Sequence, residues 1–351
     1  MAGIVERDQT LKRESLSDLL TIVDRKACPF TSAVKKGSAP KNSFVEWGLD
    51  KHKANLVQTA TYTGGVSSNL PQDGEDITSA DFENYDDRVK CAVFLQYARR
   101  VPKVSRLANM VSDVAGVGYK KEMANSIAKA LVAHKRDIEA TFCSSQETAQ
   151  ETADNPYQTR GLGKWIQSDA QAVQPVPADF RTPSGSIKTS TSATAQEEDL
   201  RDILQSIYEQ TGESDKTFYG LCGTQMKKVI SNFTLFTPRT NNLVVSNRDT
   251  DEGRLSASVD IIESDFGTIA LNLSSWLEQD ARGGDGSYDA DKGQRSLFIL
   301  NMPQLEACFA EETSVRELPD LGGGARSIIE SVFSLKSYSG GLDHGKYTLT
   351  S

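Results

Sequence analysis

Histidine is scarce in this 351-residue chain: there are three, His52, His134 and His344, far apart from one another. The five cysteines, Cys28, Cys91, Cys143, Cys222 and Cys308, are as scattered, and no CxxC or CxxH spacing occurs. A zinc site therefore has no support in the sequence, and histidine-based acid–base chemistry has little to work with. An odd, dispersed set of thiols reads as reduced and buried in a cytoplasmic product. No apolar run approaches the roughly 20 residues that a membrane-spanning helix needs. The opening "MAGIVERDQTLKRESL" has no apolar core of a secretory signal, so none is expected. Positive charge is in deficit. Lys and Arg number 39 against 48 Asp and Glu, a balance of −9, which argues against a protein built chiefly to grip phosphate backbones.

The 351 residues are enough for two modest domains or one domain with large excursions, and a hydrophobic share of 38% allows a real but not lavish core. Residues 1–40 read as an arm. In "SLSDLL", Ser15 or Ser17 fits a helix N-cap, with Leu16, Leu19, Leu20 and Val23 on one face. Pro29 in "ACPF" then stops that helix. Strand alternation in "SFVEWGL" precedes about thirty residues, "NLVQTATYTGGVSSNLPQDGEDITSADFENYDD", with few large apolar groups. So long a stretch without structure is uncommon in a compact domain, so it is either disordered or an extended arm that packs on another subunit. The next run, "RVKCAVFLQYARRV", places Val89, Cys91, Val93, Leu95 and Tyr97 on one face of a strand. Two strands around a polar excursion make an outsized hairpin.

The longest helical pattern, "GYKKEMANSIAKALVAHKRDIEATF", follows. Tyr119, Met123, Ile127, Leu131, His134, Ile138 and Phe142 fall within an arc of roughly 140°. Met123, Ile127, Leu131 and Ile138 are expected to be buried. Lys129, Lys135 and Arg136 interleave with Glu122, Asp137 and Glu139, the pattern of a solvated or subunit-facing surface. Further on, "AQEEDLRDILQSIYEQTG" reads as a helix stopped by Gly212, and "TQMKKVISNF" as another. "SASVDIIESDFGTIALNLS" reads as a hairpin turning at Asp265-Phe266-Gly267, and "SLFILN", "LEACFAEE" and "SIIESVFSLKSYS" as strands. The class is α+β with mostly antiparallel pairing and no internal repeat.

Chemistry is thinly signed. Asp260, Glu263 and Asp265 cluster in "VDIIESDFG" and could hold a divalent cation, which is the basis of a metal-dependent enzyme alternative. The plainer reading is a charged hairpin turn. "GGDGSYDADKG" (283–293) fails as a calcium loop, since Gly293 stands where an acid is needed and no bidentate Glu follows. "LGGGARS" (321–327) lacks the ending of a phosphate cradle and precedes a strand, so it reads as a turn. A GxSxG elbow is absent, and the sequons at Asn232 and Asn272 mean little without secretion. His134, inside the helix stripe, reads as a packed side chain. No catalytic, cofactor-binding or metal-binding residue is assigned, and no cofactor is expected.

Several stretches, in order along the chain, resemble one family. "ESLSDLLTIVDRKACPFTSAVKKGSA" with "FVEWGLDKHKAN" resembles the opening of the phage capsid proteins that include the SU10-type shells. "RVKCAVFLQYARRVPKVSRLANMVSDVAGV" and "EMANSIAKALVAHKRDIEATF" resemble that family's approach to and passage through its long helix. "VDIIESDFGTIAL" and "SLKSYSGGLDHGKYTLTS" are similar to its later segments. The resemblance implies a Hong Kong 97-type capsid fold of tailed phages. Its parts would be an N-terminal arm (1–40), an extended loop with flanking strands (41–100), a peripheral domain (101–174) with a spine helix at about 117–142, a mixed axial domain (175–300), and strands returning to the peripheral domain (301–351). It implies a major capsid protein, not an enzyme, that forms pentamers and hexamers around double-stranded DNA held non-specifically. Portal, scaffolding and possible decoration proteins would be partners, and membranes would not. The place would be the virion, after assembly in the host cytoplasm. An encapsulin-like compartment is the alternative in the same fold. Some relatives crosslink a loop lysine to a neighbour's asparagine. Lys51, Lys53 and Lys90 only flank the loop here, so no crosslinking is expected, and scaffolding is expected to be a separate protein.

Overall fold

The structure, a computed structural model, describes residues 27–52, 73–74, 76–77, 87–110, 122–213, 216–233, 260–278 and 293–350. The expected helix around Leu16–Val23, most of the loop between Asn55 and Asp86, residues 117–121 of the long helix, and the acidic loop at 283–292 lie outside these residues.

In chain order the elements begin with α1 (Pro29–Ala33), β1 (Lys35–Lys36), β2 (Phe44–Leu49), β3 (Val89–Phe94), β4 (Gln96–Arg100) and α2 (Arg106–Met110). Next come α3 (Glu122–Phe142), α4 (Leu162–Trp165), β5 (Ile187–Thr191), α5 (Glu197–Thr211), β6 (Thr217–Cys222) and α6 (Thr224–Phe233). The last are β7 (Ile261–Ser264), β8 (Gly267–Leu273), β9 (Ser296–Leu300), β10 (Leu305–Leu318), β11 (Arg326–Ser337) and β12 (Gly345–Thr350). Among the described residues the strands form three sheets: β1-β10-β11-β4, β5-β12-β9-β6-β8-β7, and the pair β2-β3.

The β2–β3 pair is antiparallel, from Phe44 opposite Phe94 to Leu49 opposite Val89, as expected for the base of a large hairpin. The single strand expected over Val89–Tyr97 is divided. The run breaks at Leu95, and β4 leaves to pair with β11 in another sheet. Ala92 and Phe94 are therefore buried along with Cys91 and Val93, whereas Tyr97 is exposed and its hydroxyl donates to Glu330 at 2.8 Å.

Two hydrophobic cores result. One joins β2 and β3, the C-terminal end of α3, α4 and the four-stranded sheet, with Phe333 ringed by Phe142 and Phe309. The other lies where Leu200, Ile203, Leu204 and Ile207 of α5 and Met226 and Ile230 of α6 cover the six-stranded sheet. β9 serves both: Phe298 and Leu300 face the first core, Leu297 and Ile299 the second. That is why "SLFILN" is apolar without alternation. Helix α5 carries three acids in its first turn and ends where Gly212 turns left-handed at φ 69°, a conformation glycine takes without steric cost.

The last strand departs from the expectation that 301–351 returns as one block. β10 and β11 lie in the four-stranded sheet, but β12 pairs with β9 and β5 in the six-stranded one. The crossing is made at residues 338–344. Gly340 takes φ 67°, and Gly341 packs so closely that a Cβ would meet Thr182 Oγ1 and the Trp165 carbonyl. His344, fully buried, accepts the N–H of Asn301 at Nδ1 (3.2 Å) and faces the hydroxyl of Ser337 at Nε2 (3.2 Å).

Candidate functional site

The sequence-derived candidates do not converge. Asp260 and Asp265 stand at opposite ends of β7, about 16 Å apart for five residues of extended chain. Asp260 pairs with Lys227 at 2.9 Å, and Asp265, largely exposed, lies 3.7 Å from Arg201. Glu263 sits mid-strand opposite Thr268. Among the described residues no three of His, Cys, Asp and Glu lie close enough to hold a metal ion. The three carboxylates are thus spread along a hairpin rather than gathered at its turn. "LGGGARS" is the tip between β10 and β11, where Asp320 accepts the N–H groups of Gly322 and Gly324. It leads into a strand, as expected.

Helix α3 is where the parts meet. It is 21 residues long as described, about 31 Å. Ile138 and Phe142 are buried as the stripe predicts, but Met123, Ile127 and Leu131 are only half-buried. The reason is that α3 packs on the four-stranded sheet and α1 through its C-terminal half. His134 is buried there, with Nε2 at 2.7 Å from the Ser331 hydroxyl of β11. Burial lowers its pKa, so the ring is neutral and structural.

Glu139, expected on the charged outer face, is instead fully buried. Its carboxylate receives the N–H of Phe30 (2.9 Å), the N–H of Thr31 (2.7 Å) and the Thr31 hydroxyl. Helix α1 starts at Pro29 behind Cys28, which makes no side-chain cap, so its first N–H groups need an acceptor from elsewhere. Glu139 supplies it from more than a hundred residues away. Phe30 packs edge-on against Phe142 at 6.0 Å. Just before α1, the carbonyl of Ala27 accepts Trp276 Nε1 at 2.7 Å, and just after it β1 pairs in parallel with Glu306 and Ala307. The arm's root is therefore fastened to the long helix, to the four-stranded sheet and to the segment after β8. The sequence shows a Pro-led helix start without a capping side chain, but nothing in it names Glu139 as the acceptor.

A second buried carboxylate was not foreseen. Glu278 receives Ser296 at 2.5 Å and Ser145 at 3.2 Å and is paired with Lys346. Its backbone N–H donates to the Cys143 carbonyl at 2.8 Å, which ties the end of α3 to β9 and β12. All five cysteines are buried, and burial pushes the thiols of Cys91 and Cys222 up to about 11 and about 12, so neither is a ready nucleophile. Among the described residues no helix is long and apolar enough to cross a membrane.

Comparisons with known proteins bear on this arrangement of anchors. A sequence model for the family described as SU10 major capsid protein matches residues 3–337. No curated protein matches. Among solved structures, the capsid of cyanophage A-1(L) aligns over 99% of this chain and 100% of its own, with TM-score 0.63 and 11% identity. The capsid of cyanophage P-SCSP1u aligns over 99% and 95%, with TM-score 0.59 and 11% identity. The SrpI encapsulin of Synechococcus elongatus PCC 7942 aligns over 99% and 96%, with TM-score 0.52 and 10% identity. At these identities the likeness is one of fold.

Proposed function

The chain belongs to the SU10 major capsid protein family, and we propose that it works as a structural subunit without catalytic activity, assembling through its arm and its long β2–β3 excursion. It is a major capsid protein of the Hong Kong 97-type fold, a shell-forming component of the phage virion. The observation that carries the reading is the family match across nearly the whole chain.

In the proposed division, residues up to about 40 form the arm and β2–β3 with the residues between them the extended loop. Helix α3 with the four-stranded sheet is the peripheral domain, and the six-stranded sheet with α5 and α6 the axial domain. Copies close into pentamers and hexamers, in the host cytoplasm, without covalent crosslinks. The shell encloses double-stranded DNA, which a subunit of net charge −9 holds weakly and without sequence preference. Portal, scaffolding and decoration proteins complete the list of proposed partners. The sequence between β2 and β3 has few large apolar groups, which suits a segment whose partner surface lies on a neighbouring copy.

Negative-stain microscopy of the purified protein tests this. Closed shells, rings or capsomers are expected, and a field of monomers at high concentration would overturn the reading. Shells loaded with protein cargo, in place of DNA, would favour the encapsulin alternative, which shares the fold but not the family match.

A further inference from the structure

Where the arm joins the subunit, consecutive residues are held by four separate parts of the chain. The carbonyl of Ala27 accepts Trp276 Nε1 at 2.7 Å, and that of Pro29 lies 3.4 Å from the Tyr219 hydroxyl of β6. The N–H groups of Phe30 and Thr31 go to Glu139 of α3, and β1 then pairs with β10. These holds differ in depth. Glu139 and Phe30 are buried, so their contact decides whether α1 stays on the subunit. Trp276 is half-buried and holds Ala27, the outermost described residue of the arm, which is exposed. Water can take over an exposed carbonyl, so losing this one bond costs the fold little.

The indole itself is firmly mounted. On one side the Ser274 N–H donates to the Cys222 carbonyl at 3.0 Å, and on the other the Glu278 N–H donates to the Cys143 carbonyl at 2.8 Å. The Trp276 N–H donates to the Ser274 hydroxyl at 3.2 Å, and the Arg136 guanidinium of α3 lies over the ring at 5.8 Å. A fixed donor on a carbonyl restrains the whole planar peptide unit, and with it the direction in which the preceding residue departs. A bond that adds little to folding, made by a side chain braced on both flanks, is suited to aiming the arm. We propose that Trp276, steadied by Arg136, is a positioning residue for assembly: it sets the direction in which the residues before Ala27 leave the subunit towards a neighbouring copy. The proposal rests on the reading of the arm as an assembly element and adds to it the residue that points it. Trp276 follows β8 of the six-stranded sheet, whereas Glu139 belongs to α3, so the arm's course is referenced to both halves of the subunit.

Trp276→Phe tests it in the full chain, because it keeps an aromatic face for Arg136 and removes only the N–H. The urea midpoint of the unassembled subunit should stay within about 0.3 M of the wild type. Spin labels on Asp24→Cys and Glu197→Cys then report the arm's direction by pulsed electron–electron resonance, the five native thiols being buried. The distance distribution should broaden to roughly twice its width in Trp276→Phe. Trp47→Phe is the control: it removes an indole bond of the same kind, to the Ser337 carbonyl at 3.1 Å, away from the arm, and should leave the distribution unchanged. Shell yield, followed by light scattering, should fall roughly tenfold in Trp276→Phe as the arm loses its set direction. An unchanged distribution overturns the proposal, and so does a normal shell yield. A midpoint that falls far beyond the stated range overturns it as well, because Trp276 would then serve the fold. Absence of shells from the wild type would count against the shell reading, while the label distances would still decide whether Trp276 aims the arm.

Discussion

Glu139 and Thr31 sit 108 positions apart in the chain, yet one carboxylate oxygen of the first receives both the backbone N–H, at 2.7 Å, and the hydroxyl of the second. The other oxygen takes the N–H of Phe30, so a single side chain caps the helix at the root of the arm. The carboxylate is buried, and these donors replace the water it has lost. Glu139→Ala leaves two helix-end N–H groups and a hydroxyl without an acceptor, a loss of about 2–4 kcal/mol. Glu139→Gln keeps one acceptor oxygen and should cost less. Urea unfolding of the unassembled subunit measures both, and an Ala variant as stable as the wild type would show that the cap contributes nothing.

Much of the fold was legible because its elements carry their own punctuation. Helix α5 has acids at its start, Gly212 at its end and a four-residue apolar stripe, and all four stripe residues are buried as read. The β7–β8 turn falls at Asp265-Phe266-Gly267 because Gly267 takes φ 139°, a backbone region that other residues rarely enter. What was not legible depends on partners distant in sequence. Glu139 follows the sign alternation of an exposed helix face, and only the arrival of α1 makes it interior. The split at Leu95 was hidden because each half alternates in phase with the other, while pairing with β2 on one side and β11 on the other is a tertiary choice.

Arg160 is a fully buried guanidinium. It pairs with Glu147 at 3.1 Å, donates to the carbonyls of Val173 and Gln174, and lies over the Trp165 ring at 4.7 Å. Removing the cation leaves two carbonyls without their donor and the Glu147 carboxylate with only the Thr148 N–H. Arg160→Met should therefore destabilise the subunit by about 3–5 kcal/mol although it fills similar space. Chemical unfolding followed by tryptophan fluorescence measures the loss and a change at Trp165 together. A variant within error of the wild type would contradict the role given to this group.

His344 links stability to pH. Burial, with Lys216 adding to it, lowers its pKa to about 3, so the ring is neutral in the folded subunit down to that pH. In the unfolded chain it protonates near pH 6.5. Between these values the unfolded state holds one more proton, so stability rises with pH; the contribution is complete above 6.5 and is lost as pH falls towards 3. One proton is worth about 1.4 kcal/mol per pH unit. His344→Gln can still accept from Asn301 and donate to Ser337, so the slope of stability against pH between 6 and 4 should become shallower by about that amount. Denaturation midpoints at a series of pH values give the slope, and an unchanged slope would remove His344 from the account.

The loop between β2 and β3 should be dispensable for folding and required for assembly. Its base is fixed by six facing residue pairs, from Phe44–Phe94 to Leu49–Val89, and Val45, Leu49, Cys91 and Val93 bury their side chains in the subunit's own core. Deleting 56–86 leaves residues 50–55 and 87–88 to join the strands, eight residues in all, long enough to close a hairpin, and a shorter loop has the lower closure entropy. The deleted chain should stay soluble and melt within a few degrees of the wild type, because the core residues of β2 and β3 are all retained. It should form no shells, because the surface that the loop offers to neighbours is gone. Circular dichroism and electron microscopy of the same preparation separate the two claims. Normal shells from the deletion would refute the loop's part in assembly, and an unfolded product would refute the independence of the hairpin base.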